Sequence, residues 1–254
     1  MKREETFAIG STGELHIVTA SSDIVLKSGE PGTIDVAIEG SEATLDFFDI
    51  THVGDLVSIR LRKEGARRWL QPKTSIEVTL PPDSDVEIKT ASGDVFGSVD
   101  TRDLDVATAS GDVRFGAISQ HARIKAASGD VSVGVVSGDL FCVSASGDFR
   151  ADTVTGELSV STASGDIFVG EAEGRTVAKS ASGDTRIGRF SGPGLNVKSM
   201  SGDVVIGLAP GMLIDADIAT VSGSLRNDVA PSDGEATQPA TLRIKTMSGD
   251  ITLR

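Results

Sequence analysis

The chain has one cysteine, no tyrosine and a single tryptophan in 254 residues, and aromatic side chains make up only 4% of it. The lone Cys142 excludes an intramolecular disulfide and a cysteine-rich zinc site. The shortage of aromatics argues against a thick core, which needs bulky rings to fill its volume, and favours a narrow one filled by Val, Ile, Leu and Ala. Basic charge is also short. Against 37 Asp and Glu stand 24 Lys and Arg, a net charge of −13. That balance excludes a general nucleic-acid binder, which needs a basic footprint to displace counterions, and it disfavours docking on anionic lipid. Solubility is the plain consequence. No apolar run reaches membrane-spanning length, and the mixed charges of Met1 to Thr6 lead into no apolar stretch, so neither membrane insertion nor a secretory signal is expected. A cytoplasmic location follows as the expectation.

Glycine, by contrast, is abundant at 29 residues, and much of it lies in a repeat. Ser-Gly-Asp begins at Ser92, Ser110, Ser128, Ser146, Ser164 and Ser182, every 18 residues. It returns at Ser201 and Ser248, with a degenerate Ser222-Gly223-Ser224 between them. One copy, Ser137-Gly138-Asp139, falls out of register. Alternating apolar positions keep step with the turn: Leu104, Val106 and Thr108 before it, Val113 and Phe115 after it, with the same columns in each following unit. Period-two alternation is the mark of a strand with one buried face. Each unit therefore holds two short strands and two corners, the second corner often marked by Gly116, Gly134, Gly170, Gly188 or Gly207. One such unit cannot cover its own apolar face, whereas stacked copies cover one another.

The expected fold is all-β: a single parallel β-solenoid (β-helix) over 1–254, with 18-residue coils. It has irregular N-terminal coils at 1–90, regular repeats at 91–207, and irregular C-terminal coils at 208–254 with an inserted loop at 226–239. The N-terminal region hides one further copy, Leu15 to Ile24, whose Ser21-Ser22-Asp23 stands for the turn. A sandwich of hairpins would not require one turn chemistry every 18 residues. An end of such a stack exposes unpaired backbone, so either the 226–239 loop or a second chain should cover it.

The turn supports two readings. Aligned aspartates, with Asp112, Asp130, Asp148 and Asp166 as the candidates, could form a Ca²⁺ ladder. Alternatively, glycine supplies a positive φ and aspartate caps backbone N–H groups. Neighbouring carboxylates about 5 Å apart repel by roughly 1 kcal/mol in water and about 3 kcal/mol at an effective dielectric of 20. A charge-assisted bond to an N–H contributes about 1.5–3 kcal/mol, enough to offset that. Each turn has one carboxylate, whereas calcium takes six to eight oxygens, so the structural reading is preferred. No metal or cofactor is expected.

No catalytic residues emerge. His16, His52 and His121 fall in different units, Cys142 sits at an inward position, and Phe96, Phe141 and Phe168 scatter over an outer surface without an acid pair. The one local oddity is Arg67-Arg68-Trp69 between Lys63 and Lys73, a basic loop that could hold a partner or, alternatively, cover the N-terminal end of the stack.

The Thr-Ala-Ser-Gly-Asp-Val columns, the N-terminal strand region and the step Val78-x-Leu80-Pro81 resemble a bacterial family of β-strand-repeat proteins labelled "putative adhesins", a domain of unknown function numbered 4097. The resemblance runs from Leu15 to Leu253. It implies a β-solenoid and supplies no catalytic residues to carry over. A non-enzymatic scaffold that presents a face to a protein or peptide partner is the expectation. The alternative is a self-assembling, adhesin-like structural protein joined end to end. A calcium-binding β-roll or a carbohydrate-acting solenoid enzyme ranks below both.

Overall fold

The computed structural model describes residues 1–62, 74–229 and 239–254. Two compact units divide the chain, Met1–Gly129 and Asp130–Arg254. Both are built from parallel strands that pair from one coil to the next, the all-β solenoid class the 18-residue period implies.

In the C-terminal unit the rungs are regular. Leu140–Ser146 pairs with Leu158–Ser164, which pairs with Thr176–Ser182, which pairs with Gly194–Ser201, all parallel and in register. The post-turn strands stack in the same way, from Val131–Val136 through Phe149–Val154, Ile167–Ala172 and Thr185–Phe190 to Val204–Leu208. Registered pairing puts Leu on Leu and Val on Ala, so the alternating apolar residues form continuous inward columns. Leu158, Val160, Ile167 and Val169 are all buried. Large rings enter this narrow core where space is left for them. Phe149 and Phe190 are fully buried in the C-terminal unit. In the N-terminal unit Phe115 lies against Gly97, where a Cβ would stand 2.3 Å from the ring.

Spatial order departs from chain order at the end of this unit. The strand Ala240–Ser248 pairs on one side with Gly194–Ser201 and on the other with Ile214–Ser222. Ile251–Leu253 likewise lies between Val204–Leu208 and Leu225–Asn227. The last coil in sequence is therefore the penultimate rung, and the coil 214–227 is outermost. Arg226 and Asn227, assigned from the sequence to the start of a loop, belong to a strand; within that stretch, 230–238 fall outside the described residues.

The N-terminal unit does the same. Glu14–Val18 pairs in parallel with Leu56–Leu61 and with Ser84–Ser92, so the first coil lies between two later ones. From there the regular coils begin, Ser84–Ser92 pairing with Thr101–Ser110. Unlike the regular coils, this region carries antiparallel strands: Phe48–Val53 on Leu56–Leu61, Thr33–Glu39 on Thr74–Leu80, and Lys2–Ala8 on Thr33–Glu39. A single helical turn, Glu42–Leu45, links two of them. These antiparallel strands close the edges that the parallel strands Leu56–Leu61 and Thr74–Leu80 would otherwise expose.

Candidate functional site

The recurring string Thr-Ala-Ser-Gly-Asp resolves into three separate tasks. In several coils the inward Thr or Ser, two residues before the turn serine, donates its hydroxyl to that serine's carbonyl, as Thr108 does to Ser110 (3.0 Å) and Thr162 to Ser164 (3.1 Å); the buried hydroxyls of Ser180 and Ser199 make no such bond. Glycine follows at positive φ, for example +136° at Gly165 and +128° at Gly183. Aspartate then accepts a hydrogen bond from the backbone N–H of the aspartate one coil on. Asp148 N–H donates to Asp130 Oδ1 (2.9 Å), Asp166 to Asp148 (2.9 Å), Asp184 to Asp166 (2.8 Å) and Asp203 to Asp184 (2.8 Å). In the N-terminal unit Asp112 donates to Asp94 (2.9 Å). Of the carboxylates named as calcium candidates, Asp130, Asp148 and Asp166 thus each accept the backbone N–H of the next coil, while that of Asp112 accepts the Arg114 guanidinium (2.7 Å). Among the described residues no group of three or more His, Cys, Asp or Glu is arranged to hold a metal ion.

The ladder also follows the spatial order of the coils. Asp250 N–H donates to Asp203 Oδ1 (2.8 Å), and Ser224 N–H donates to Asp250 Oδ1 (2.7 Å). That last bond holds the Asp250 carboxyl below the usual carboxylate range. Its contribution is present above the unfolded carboxylate's pKa and is lost as pH falls through the lower folded value. The out-of-register Ser137-Gly138-Asp139 has a matching role at the other corner, where Glu157 N–H donates to Asp139 Oδ1 (2.8 Å).

The histidines stay apart. His16 lies between Glu14 (2.8 Å) and Glu87 (3.4 Å), and the His52 ring lies beside that of Phe7, tilted by 48° with centroids 5.3 Å apart. His121 is exposed at a corner, its backbone N–H donating to Asp103. Phe96 and Phe141 face outward, as does Phe168, whose ring carries the Arg150 guanidinium at 4.3 Å. Arg67, Arg68 and Trp69, the proposed partner loop, lie outside the described residues. Cys142 points into the core, and burial pushes its thiol up to about 12. A thiol so placed has almost no thiolate at neutral pH. Cys142 in the folded protein is therefore expected to resist an aromatic disulfide reagent at pH 8 and to react fully once urea unfolds the chain. Rapid labelling without denaturant would contradict its placement.

The site that sequence reasoning missed is the outermost coil of the C-terminal unit. Ile214–Ser222 pairs with Ala240–Ser248 on one edge, and among the described residues its other edge has no strand partner. Its inward column continues that of the rung beneath: Ala216 over Leu242, Ile218 over Ile244, and Leu225 over Ile251. One rung down, Leu242, Ile244 and Ile251 are completely buried; on the outer rung Leu225 is 52% exposed, and Val221, on the outer face, 82%. Here an apolar column and a row of backbone groups meet solvent together.

A model of the Toastrack DUF4097 family matches residues 12–254, and the chain belongs to that family. No curated protein matches it. Among solved structures it is similar to a "putative adhesin" from Bacteroides fragilis NCTC 9343, at 12% identity and a TM-score of 0.56, over 100% of this chain and 97% of that one. It is also similar to a "putative lipid binding protein" from Parabacteroides distasonis ATCC 8503, at 18% identity and a TM-score of 0.55, over 100% and 96%. At such identities the likeness establishes the fold. No helix among the described residues is long and apolar enough to cross a membrane.

Proposed function

We propose that this protein is a non-enzymatic scaffold that joins strands at the open coil of its C-terminal unit, and that the strand it accepts comes from a second copy of itself. The observation that carries this reading is the edge of Ile214–Ser222 that no strand covers among the described residues, with Ala216, Ile218 and Leu225 behind it. Strand addition at such an edge satisfies the backbone and extends the apolar columns in one step.

The strand suits its own antiparallel copy. Pairing centred on Ile218 sets Ala216 against Thr220 on the inner side, and on the outer side Asp215 against Val221 and Asp217 against Ala219. No two carboxylates then face each other directly, the arrangement that would destabilise a sheet. Lys245 already neutralises Asp217, at 3.1 Å. A twofold contact of this kind closes on itself and gives a dimer. The adhesin description of one distant relative accords with a presenting role.

Light scattering tests the reading. The wild-type protein should have the mass of two chains at micromolar concentration. Ala216→Lys with Leu225→Lys, which put charge on the open face, should give one chain with an unchanged circular dichroism spectrum. A single-chain mass for the wild type at every concentration up to its solubility limit would overturn the proposal.

A further inference from the structure

The acidic charge of this protein is unevenly placed. Four neighbouring strands of the C-terminal unit, Leu158–Ser164, Thr176–Ser182, Gly194–Ser201 and Ala240–Ser248, contain no Asp or Glu. They carry Lys179, Lys198, Arg243 and Lys245, all exposed. Lys179 is paired in register with Lys198, and Lys198 with Lys245. Three ammonium groups therefore stand on successive rungs, whose backbones are about 4.8 Å apart. Like charges placed directly opposite across a ladder destabilise it, and the fold does not need them. Ser161 occupies the same column one rung before Lys179. Among the described residues Lys179, Lys198 and Arg243 make no ion pair; only Lys245 does, with Asp217.

Two further features adjoin this column. Beside it, Arg175 and Arg243 line a shallow recess of about 300 Å³ together with Asn196, Val177 and Pro193. On the other side, two residues beyond their lysines, Met200 and Met247 project from the same face, 57% and 56% exposed. The nearest turn acids, Asp184, Asp203 and Asp250, lie five residues beyond the lysines, about 16 Å along an extended strand. Oδ1 of each accepts a backbone N–H.

We infer that this face docks on the surface of an anionic lipid bilayer. A sheet face that combines a cation column with flanking exposed methionines has the two attractions an interfacial site uses, charge toward the headgroups and apolar contact at the acyl boundary. A soluble polyanion would use the lysines but would draw nothing from Met200 and Met247, so the combination favours a membrane surface. The whole-chain charge of −13 argues against lipid only if the charge is spread evenly; on this face the sign is reversed. The inference concerns peripheral contact; it shares Lys245 with the open coil, where that lysine pairs with Asp217, whereas Lys179 and Lys198 lie on rungs away from that coil.

Sedimentation of the full chain with vesicles tests it. Phosphatidylcholine vesicles containing phosphatidylglycerol should carry the protein down, and vesicles of phosphatidylcholine alone should not. At about 1 M salt, where screening acts within roughly 3 Å, the binding should disappear. Lys179→Glu, Lys198→Glu and Lys245→Glu together should weaken partitioning about a hundredfold or more. Should that triple variant misfold, Lys179→Ser with Lys198→Ser keeps the test open, since exposed serines leave the core untouched; it should weaken binding at least tenfold. Met200→Ser with Met247→Ser should also reduce binding. Equal behaviour on both vesicle types, or no loss in a folded lysine variant, would overturn the inference. So would capture of long-chain polyphosphate by a protein that ignores vesicles, which would assign the face to a soluble polyanion.

Discussion

Replacing Gly183 by alanine is expected to destabilise the protein by about 4 kcal/mol, the strain of an unfavourable backbone conformation added to that of an overfilled contact. Two independent demands meet at this residue. Its φ is +128°, a region L side chains rarely adopt. Its Cβ would also stand 2.3 Å from the carbonyl oxygen of Gly165, one coil back. The same approach recurs along the stack, at 2.2 Å for Gly202 against Gly183 and 2.1 Å for Gly249 against Gly202. A methyl group on one rung therefore pushes against backbone that is itself held by the next turn. Gly32 separates the two effects. Its φ is +101°, but nothing lies within 4 Å of a Cβ built there. Gly32→Ala should cost only the backbone strain, about 1–2 kcal/mol. Urea unfolding of both variants checks the difference. Equal losses would mean that the contact between turns contributes nothing.

Those turns explain why the fold was so legible in the sequence. A glycine needed for both φ and close stacking cannot drift, and an aspartate that must reach the next rung's N–H has to recur at the coil length. The 18-residue spacing is thus a direct record of the rung geometry, and with it came the inward columns, Cys142 among them. Chain order hid the swapped coils at the two ends. Residues 214–227 and 240–253 both fit the repeat, and nothing in their apolar alternation says which is outermost. One signal was present. An inner rung must offer a carboxylate to the next coil, whereas the last rung need not. Ser248-Gly249-Asp250 retains the acid, and Ser222-Gly223-Ser224 does not, which marks the latter as terminal. Asp23 carries the same information at the other end, since its Oδ1 accepts the N–H of Asp94 at 3.2 Å. The open edge became visible only once that order was known. The lysine column was equally hidden, because Lys198 and Lys245 are 47 residues apart in sequence and adjacent in register.

The swapped order makes an unusual truncation result expected. Deleting residues 230–254 removes the chain's final strands, yet these form an inner rung. The coil 214–227 would lose Ala240–Ser248 and Ile251–Leu253, its parallel partners, and Ser224 would lose the Asp250 acceptor. Two rungs should therefore fail where one was removed. A chain ending at residue 209 lacks both coils but ends cleanly on Gly194–Ser201 and Val204–Leu208, which still stack on Thr176–Ser182 and Thr185–Phe190. The shorter protein should thus be at least as stable as the one ending at 229. In the longer one, the amides of 214–222 should exchange with solvent at unprotected rates, as in a segment whose local stability is near zero. In the intact chain, those amides of 214–222 that bond to Ala240–Ser248 should be protected. If the coil 214–227 were to dock directly on 194–208 after the deletion, those amides would stay protected and the 229-residue chain would be the more stable. That outcome would show that the inserted rung is an alternative partner for the terminal coil and not a requirement for its order.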